Sequence, residues 1–417
     1  VVAGWLLPRA QSVWWPSTRA RARFSVSLAM ATIAGVQALE LDRGRRQVFV
    51  IGNEAADADS LVSAYAMAQL VDSDEAQGVA LVQIPREEFC LRGDALALFR
   101  YGGGPLAADG SPARLVFWDE VDWDAVHSLQ DRSLVLTDHN KMTEEVARYF
   151  EGRVGRVLDH HADTGSYPQA EVIIDEALGS ACTLVAEEFW AEGKEMPAEV
   201  GKLLAGVIVL DTRNFDPKAA KGTSRDRRAL DGLSAFIPPH GCDRWYAELM
   251  EARKDVSHLS VRELLLLDLK TATAGDGGLV AFASVSGAVR DVCARAGGPA
   301  SLLGEAEALA RSRGYAALAI LFGKDSAGSK AVVFVPGCSG QRGAGMCESM
   351  AGHLARAGPD TVGEAFRGNP LFASQGILEE GFGLAPWDSL EPLRAFALRG
   401  PISRKTLLPY AMSASAL

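Results

Sequence analysis

Four acidic motifs are spaced along the first half of the chain in a manner that suits a two-metal, phosphate-hydrolysing centre. They are Asn53-Glu54-Ala55-Ala56-Asp57-Ala58-Asp59, Asp138-His139-Asn140, Asp159-His160-His161 and Asp211-Thr212. Carboxylates gathered in one place repel one another unless cations lie between them. Two divalent ions about 3.5 to 4 Å apart would neutralise such a cluster and clamp an in-line phosphoryl displacement. Any single aspartate after a strand reads as an ordinary loop or helix-cap residue; the succession of four is what points to a centre.

Each motif ends an apolar run: Val48 to Ile51, Leu134 to Leu136, Val154 to Leu158, and Leu203 to Leu210. Runs of this length read as buried parallel strands or core helices, whose ends converge on one edge of an open α/β sheet. Ser60 begins an apolar-periodic stretch (Leu61, Ala64, Tyr65, Met67, Leu70), so a helix N-terminus should face the acidic cluster, where backbone N–H groups favour anions. Gly179-Ser180 predicts another helix start, with the Ser180 hydroxyl as its cap. Farther along, Ser260-Val261-Arg262-Glu263 fits a capping box leading into Leu264 to Leu267, which predicts that Lys270 lies on a helix. Leu279 to Phe282 and Ala331 to Val335 look like strands of a second sheet, and the Pro/Gly stretch at 236–242 reads as a linker able to act as a hinge.

Composition narrows the class. At 417 residues and 48% hydrophobic content the chain can bury two ordinary cores. No apolar stretch reaches the 18 to 20 residues or so of a membrane span, so no membrane partner is expected. The net charge of −11 argues against nonspecific nucleic-acid binding and means that an anionic substrate must be captured by a local basic patch. Six cysteines without C-x-x-C spacing read as reduced thiols of an intracellular, cytoplasmic protein. Residues 1–39 contain Arg9, Arg19, Arg21 and Arg23 and no acidic residue. That bias is transit-like, which would imply a mitochondrial or plastid destination, or it reflects translated sequence upstream of Met30; disorder is expected in both cases.

The four motifs together resemble motifs I to IV of the DHH phosphoesterase superfamily, with Asp159-His160-His161 as the signature. Arg253-Lys254-Asp255-Val256-Ser257-His258-Leu259-Ser260, Leu267-Asp268-Leu269-Lys270 and Ser403-Arg404-Lys405 resemble the second type of DHH-associated domain, which accompanies yeast-type exopolyphosphatases, prune proteins and manganese-dependent pyrophosphatases. Within that group, Asn53 stands where the pyrophosphatases carry histidine, and His161 is kept where animal prune proteins tend to have arginine. Both details favour the exopolyphosphatase branch. The glycine-rich, histidine-bearing motif of DHH nucleases has no counterpart here.

The resemblance implies an α/β protein of two domains: a doubly wound, mainly parallel sheet (residues 40–235) and a smaller C-terminal α/β domain (243–417), joined by the linker 236–242, with the active site in the cleft between them. It implies a metal-dependent exopolyphosphatase that removes the terminal phosphate of inorganic polyphosphate through a two-metal-activated hydroxide. The alternatives are a manganese-dependent inorganic pyrophosphatase and a prune-like interaction protein with vestigial phosphodiesterase activity. Of two divalent cations, Mg2+ or Mn2+, Asn53 and Asp57 would hold one, Asp59, His160 and Asp211 the other, and Asp138 would bridge them. An amide oxygen at Asn53 makes that site harder than an imidazole would, which favours Mg2+. Asp159 would fix the ring of a histidine ligand, and His161 would touch the substrate phosphate or protonate the leaving oxygen. Four carboxylates and two divalent cations sum to about zero, so Lys270, Arg404 and Lys405 would supply the positive charge that a polyphosphate or pyrophosphate requires. Arg253 and Lys254 follow the family pattern less cleanly. A monomer or dimer is expected.

Overall fold

A computed structural model describes residues 41–337 apart from 43, 105, 108–111, 275–276 and 325–329; beyond these it describes 343, 345, 347, 350 and the strand 395–398. The transit-like extension, Arg404 and Lys405 lie outside the described residues.

The first sheet is built from Arg46–Ile51 (β1), Ala76–Val82 (β2), Leu115–Phe117 (β3), Arg132–Thr137 (β4), Val154–Asp159 (β5) and Glu171–Ile174 (β6). The order is β3-β2-β1-β4-β5-β6, and every neighbouring pair is parallel. A central parallel strand is covered on both faces, which is why β1 reads as an unbroken apolar run. Val48 and Val50 point to one face and Phe49 and Ile51 to the other, following the two-residue period of a strand.

The first face is covered by Ala58–Val71 (α1) and Gly93–Gly102 (α2); the second by Trp123–Ser128 (α3) and Glu144–Phe150 (α4), with Val126, Val146 and Phe150 against Phe49 and Leu134. Ala181–Ala191 (α5), Ala198–Asp211 (α6) and Ser224–Gly232 (α7) complete the first face. The run Leu203 to Leu210 thus belongs to a helix. Residues from Ala198 onward extend it to 14, more than a typical strand, and ten of those residues are buried. The strand order reverses between β1 and β4, where the connections diverge to opposite sides and leave a crevice at the carboxyl ends of the strands.

The expected break at 236–242 does not separate the two cores. Gly241–Lys254 (α8) follows it and buries Trp245 and Leu249 in the first core, each only 2% exposed. The change comes after α8, at residues 255–260. The second core begins with Val261–Leu267 (α9) and contains Leu269–Thr273 (β7), Leu279–Val285 (β8), Val289–Ala296 (α10), Pro299–Ser312 (α11), Ala317–Phe322 (β9), Lys330–Pro336 (β10) and Ala395–Leu398 (β11). Its sheet order is β11-β10-β9-β8-β7, with only the β8–β9 pair parallel.

Lys270 departs from the helix predicted for it. The capping box forms, with the Ser260 side chain accepting from the Glu263 N–H and the Glu263 carboxylate accepting from the Ser260 N–H. The helix nevertheless stops at Leu267, because Asp268 turns out of helical geometry and its carbonyl accepts from the Ser284 N–H. Thr271 and Thr273, β-branched, then continue an edge strand in which the exposed Lys270 pairs opposite Phe282. No described helix is long and apolar enough to cross a membrane.

Candidate metal centre

The crevice beyond β1, β4 and β5 collects the acidic motifs. Asp138 follows β4 in a left-handed conformation, φ 60°, held by its N–H to the Leu158 carbonyl at 2.9 Å. A non-glycine residue there is strained by about 1–3 kcal/mol, a cost that clusters at functional sites. The turn aims its carboxylate, 2% exposed, at three partners. Ser60 Oγ donates to Oδ2 at 2.6 Å, Asn53 Nδ2 donates to the same oxygen at 2.9 Å, and His160 Nε2 lies 3.1 Å from Oδ1. Asp138 thus contacts Ser60, Asn53 and His160 at once.

Asn53 differs from expectation in one respect. Its Nδ2, and not its amide oxygen, faces Asp138; Oδ1 accepts from the Ala55 N–H at 2.9 Å. Asn53 therefore orients Asp138 in this arrangement. Gly52 lets β1 run close to α1, since a Cβ there would fall 2.5 Å from the Ser60 carbonyl oxygen.

Helix α1 begins two residues before the predicted start. Asp57 is its N-cap, accepting from the Ser60 N–H at 3.1 Å, and Asp59 lies in its first turn. Asp59 is met by a second helix end: Ser180 Oγ donates to it at 2.9 Å, and the N–H groups of Ala181 and Cys182 at 2.8 and 3.0 Å. The N-terminus of α5 is thus occupied by a carboxylate, as its dipole favours. Ser180 caps α5 as predicted and binds Asp59 with the same hydroxyl. Burial and the Asp138 charge still push the Asp59 carboxyl up to about 6.

His160 reaches between Asp138 and Asp59, with Nε2 3.5 Å from Asp59 Oδ2. Its other ring nitrogen lies 3.0 Å from the Leu178 carbonyl. Burial alone would lower this imidazole's pKa, but the hydrogen bond to Asp138 and the charge of Asp59 overcome it and push it up to about 10.

Asp211 ends α6, the negative pole of a helix, where a carboxylate is unfavourable. One of its oxygens is buried with no hydrogen-bond partner. Burial, then the charges of Asp59, Asp57 and Asp138, hold its carboxyl well above the usual range. The next residues, Arg213, Asn214 and Phe215, all have positive φ. Asp57, Asp59, Asp138, His160 and Asp211 make an oxygen-rich set with one imidazole, which fits hard divalent cations; a second imidazole, His161, has a ring nitrogen within 4.8 Å of the ligand atoms of Asp138 and His160.

Asp159, fully buried, holds His161 and not the histidine between the carboxylates. Its Oδ1 accepts from the backbone N–H groups of His160 and His161 at 2.7 and 3.1 Å and contacts His161 Nδ1 at 2.8 Å. Asn140 Nδ2 donates to its Oδ2 at 2.6 Å. His161 itself has a side chain 58% exposed, and its Nδ1 also lies 3.7 Å from Asp138 Oδ1. Ser60, Asn140 and the Leu178 carbonyl are contributors that sequence reasoning did not assign. Ser60 was legible only as a helix start, and a backbone carbonyl leaves no mark in a sequence.

Residues 47–210, which carry all the motifs but the last aspartate, match the model described as the DHH family, N-terminal domain. The likeness to that domain is confined to these residues. Its relatives include the Rattus norvegicus protein named exopolyphosphatase PRUNE1, 34% identical over 238 residues that cover 55% of this chain and 50% of the relative. A Schizosaccharomyces pombe protein named putative exopolyphosphatase is 30% identical over 251 residues, covering 57% of this chain and 63% of the relative. A manganese-dependent inorganic pyrophosphatase of Methanocaldococcus jannaschii is 22% identical over 231 residues, covering 53% and 66%. The match to the first of these spans about half of that protein's length. The first three motifs lie within the matched residues 47–210 and the fourth, Asp211-Thr212, follows immediately after them. Lys270 makes no hydrogen bond or ion pair to them among the described residues.

Proposed function

We propose that this protein is a divalent-metal-dependent exopolyphosphatase, hydrolysing the terminal phosphoanhydride bond of inorganic polyphosphate. The carrying observation is the buried, unpartnered oxygen of Asp211 at a helix C-terminus, among three further carboxylates that raise its pKa. Such a cluster is costly in the folded protein unless cations neutralise it. The relatives named exopolyphosphatase, and the pyrophosphatase named manganese-dependent, support the substrate class and the metal.

Asp57, Asp59, Asp138, His160 and Asp211 would hold two cations, Mg2+ or Mn2+, with Asn53 beside Asp138. When bound, the cations supply a nucleophilic water at neutral pH and neutralise the charge of the phosphate. The chain's own residues do the rest. Asp138, pinned by Ser60 and Asn53, keeps one orientation throughout, and the two helix-end N–H groups do the same for Asp59. His161 is half-exposed with Nδ1 against the Asp159 carboxylate, and as the general acid it would donate from Nε2–H to the leaving phosphate oxygen. A bond forms between phosphorus and the oxygen of a water that gives up one proton to solvent, the terminal P–O–P bond breaks, and the His161 proton passes to the departing chain. Lys270, Arg404 and Lys405 would hold the remaining phosphates.

The test is hydrolysis of long-chain polyphosphate, tripolyphosphate and pyrophosphate with Mg2+ and with Mn2+, in the wild type and in Asp138→Asn. Polyphosphate should be preferred, and the variant should lose at least about a hundredfold in rate, beyond what removing a group that merely supports a ligand costs. A strong preference for pyrophosphate would make the protein a pyrophosphatase. Near wild-type rates in the variant would remove the metal assignment.

A further inference from the structure

Seven consecutive residues, 88–94, touch three separate parts of the molecule in order. Residues 88–91 meet the second core: Glu88 pairs with Arg313 at 2.5 Å, Cys90 Sγ lies 3.2 Å from Glu263 Oε1, and Leu91 packs with Leu259 and Leu264. Arg92 then turns to the motif I loop. Its Nε donates to the carbonyls of Ala55 and Ala56, both at 3.1 Å, and its Nη2 to Ala55 at 2.7 Å. Gly93 abuts the end of α8 so closely that a Cβ would fall 2.2 Å from the Ala252 carbonyl oxygen. Asp94, 5% exposed, pairs with Arg253 Nε at 2.5 Å.

The loop gripped by Arg92 lies between Asn53 and Asp57. Its Ala56 is buried at 2% exposure with φ 47°, a left-handed conformation that an alanine does not adopt unless held. Within the loop, the Ala56 N–H reaches the Asn53 carbonyl at 3.2 Å and the Ala55 N–H reaches Asn53 Oδ1 at 2.9 Å. The two carbonyls pointing outward are satisfied by one planar guanidinium. A lysine ammonium, a point donor, lacks the fork that reaches both.

We propose that Arg92 is a positioning residue that sets the Asn53–Asp57 loop and links it to the second core through residues 88–91. It acts through its hydrogen bonds to the Ala55 and Ala56 carbonyls. The proposal rests on the metal-centre reading above. With that reading, the seating of the second core governs how well the loop offers its ligands, and cation binding in turn favours that seating, because coupling between two sites is reciprocal.

The experiment is a calorimetric titration of Mn2+ into the wild type, Arg92→Lys, Arg92→Met and Arg313→Met, with circular dichroism and melting in EDTA as the check of folding. In Arg92→Met one of two Mn2+ equivalents should weaken about ten- to a hundredfold while the other is retained. Arg92→Lys should fall between it and the wild type. Arg313→Met, remote from every ligand, should weaken the same equivalent about fivefold or more. A general loss of stability would instead move both equivalents together and would overturn the proposal. Wild-type affinities in Arg92→Met would overturn the positioning role, and wild-type affinities in Arg313→Met would overturn the link to the second core. A wild type that binds no Mn2+ would sink the metal-centre reading itself, a result distinguishable from all of these.

Discussion

Asp211→Asn should stabilise the metal-free protein and remove most of its stabilisation by Mn2+. In the wild type this carboxylate sits at a helix C-terminus with one buried oxygen unpartnered, and burial and three neighbouring carboxylates hold it well above its ordinary 3.8. A folded-state pKa above the unfolded value means that the folded protein keeps a proton the unfolded chain releases. Stability is therefore lost as pH rises from 3.8 through the raised value, and is recovered on acidification. Asparagine is neutral at every pH and nearly isosteric. Leaving a buried polar group unpaired costs about 1–3 kcal/mol, and more when it is charged. For a domain of about 150–250 residues each kcal/mol moves Tm by about 2–4 °C, so the variant should melt about 2–12 °C higher in EDTA at neutral pH. The gap should narrow toward acidic pH as the wild-type carboxyl takes up its proton. Mn2+ at a hundred times its Kd stabilises the wild type by about 2.7 kcal/mol; a hundredfold weaker site at the same concentration leaves about 0.4 kcal/mol. Scanning fluorimetry with EDTA and with Mn2+ reads both quantities. A variant that melts lower than the wild type in EDTA, or that gains as much from Mn2+, would refute the reasoning.

Two further outcomes follow from the same site. His160, pushed up to about 10 by Asp138 and Asp59 against the effect of burial, is protonated in the metal-free protein at pH 8 and must give up that proton to ligate. Mn2+ binding at that pH should release about one proton, visible as a dependence of the titration heat on the buffer's ionisation enthalpy; heats independent of buffer would contradict it. His161→Gln should lower kcat on polyphosphate by about 10²–10⁴ while leaving Mn2+ affinity unchanged, since its Nδ1 is taken by Asp159 and its side chain is more than half exposed. Weakened Mn2+ binding in that variant would place His161 among the ligands.

The sequence by itself determined the inventory and its order. Hydrophobic runs of a few residues can bury only as central strands or core helices, so the ends of β1, β4, β5 and α6, with the aspartates that follow them, were legible as one edge of an α/β sheet. The caps at Ser180 and Ser260 were legible too, because a hydroxyl at a helix start acts within three residues. Where side chains of like type compete for partners far apart in the chain, only the tertiary structure decided. Asp159 could have served either histidine and takes His161, leaving His160 to the Leu178 carbonyl. Asn53 turns its amide nitrogen to Asp138 because the Ala55 N–H claims its oxygen. Lys270 left its predicted helix for β7 because strand pairing with β8 prevailed over the local capping signal. The Pro/Gly stretch at 236–242 failed to divide the cores because Trp245 and Leu249, beyond it, bury against the first. Local signals act over a few residues, whereas register, burial and the pairing of charges are settled between segments that the sequence keeps apart.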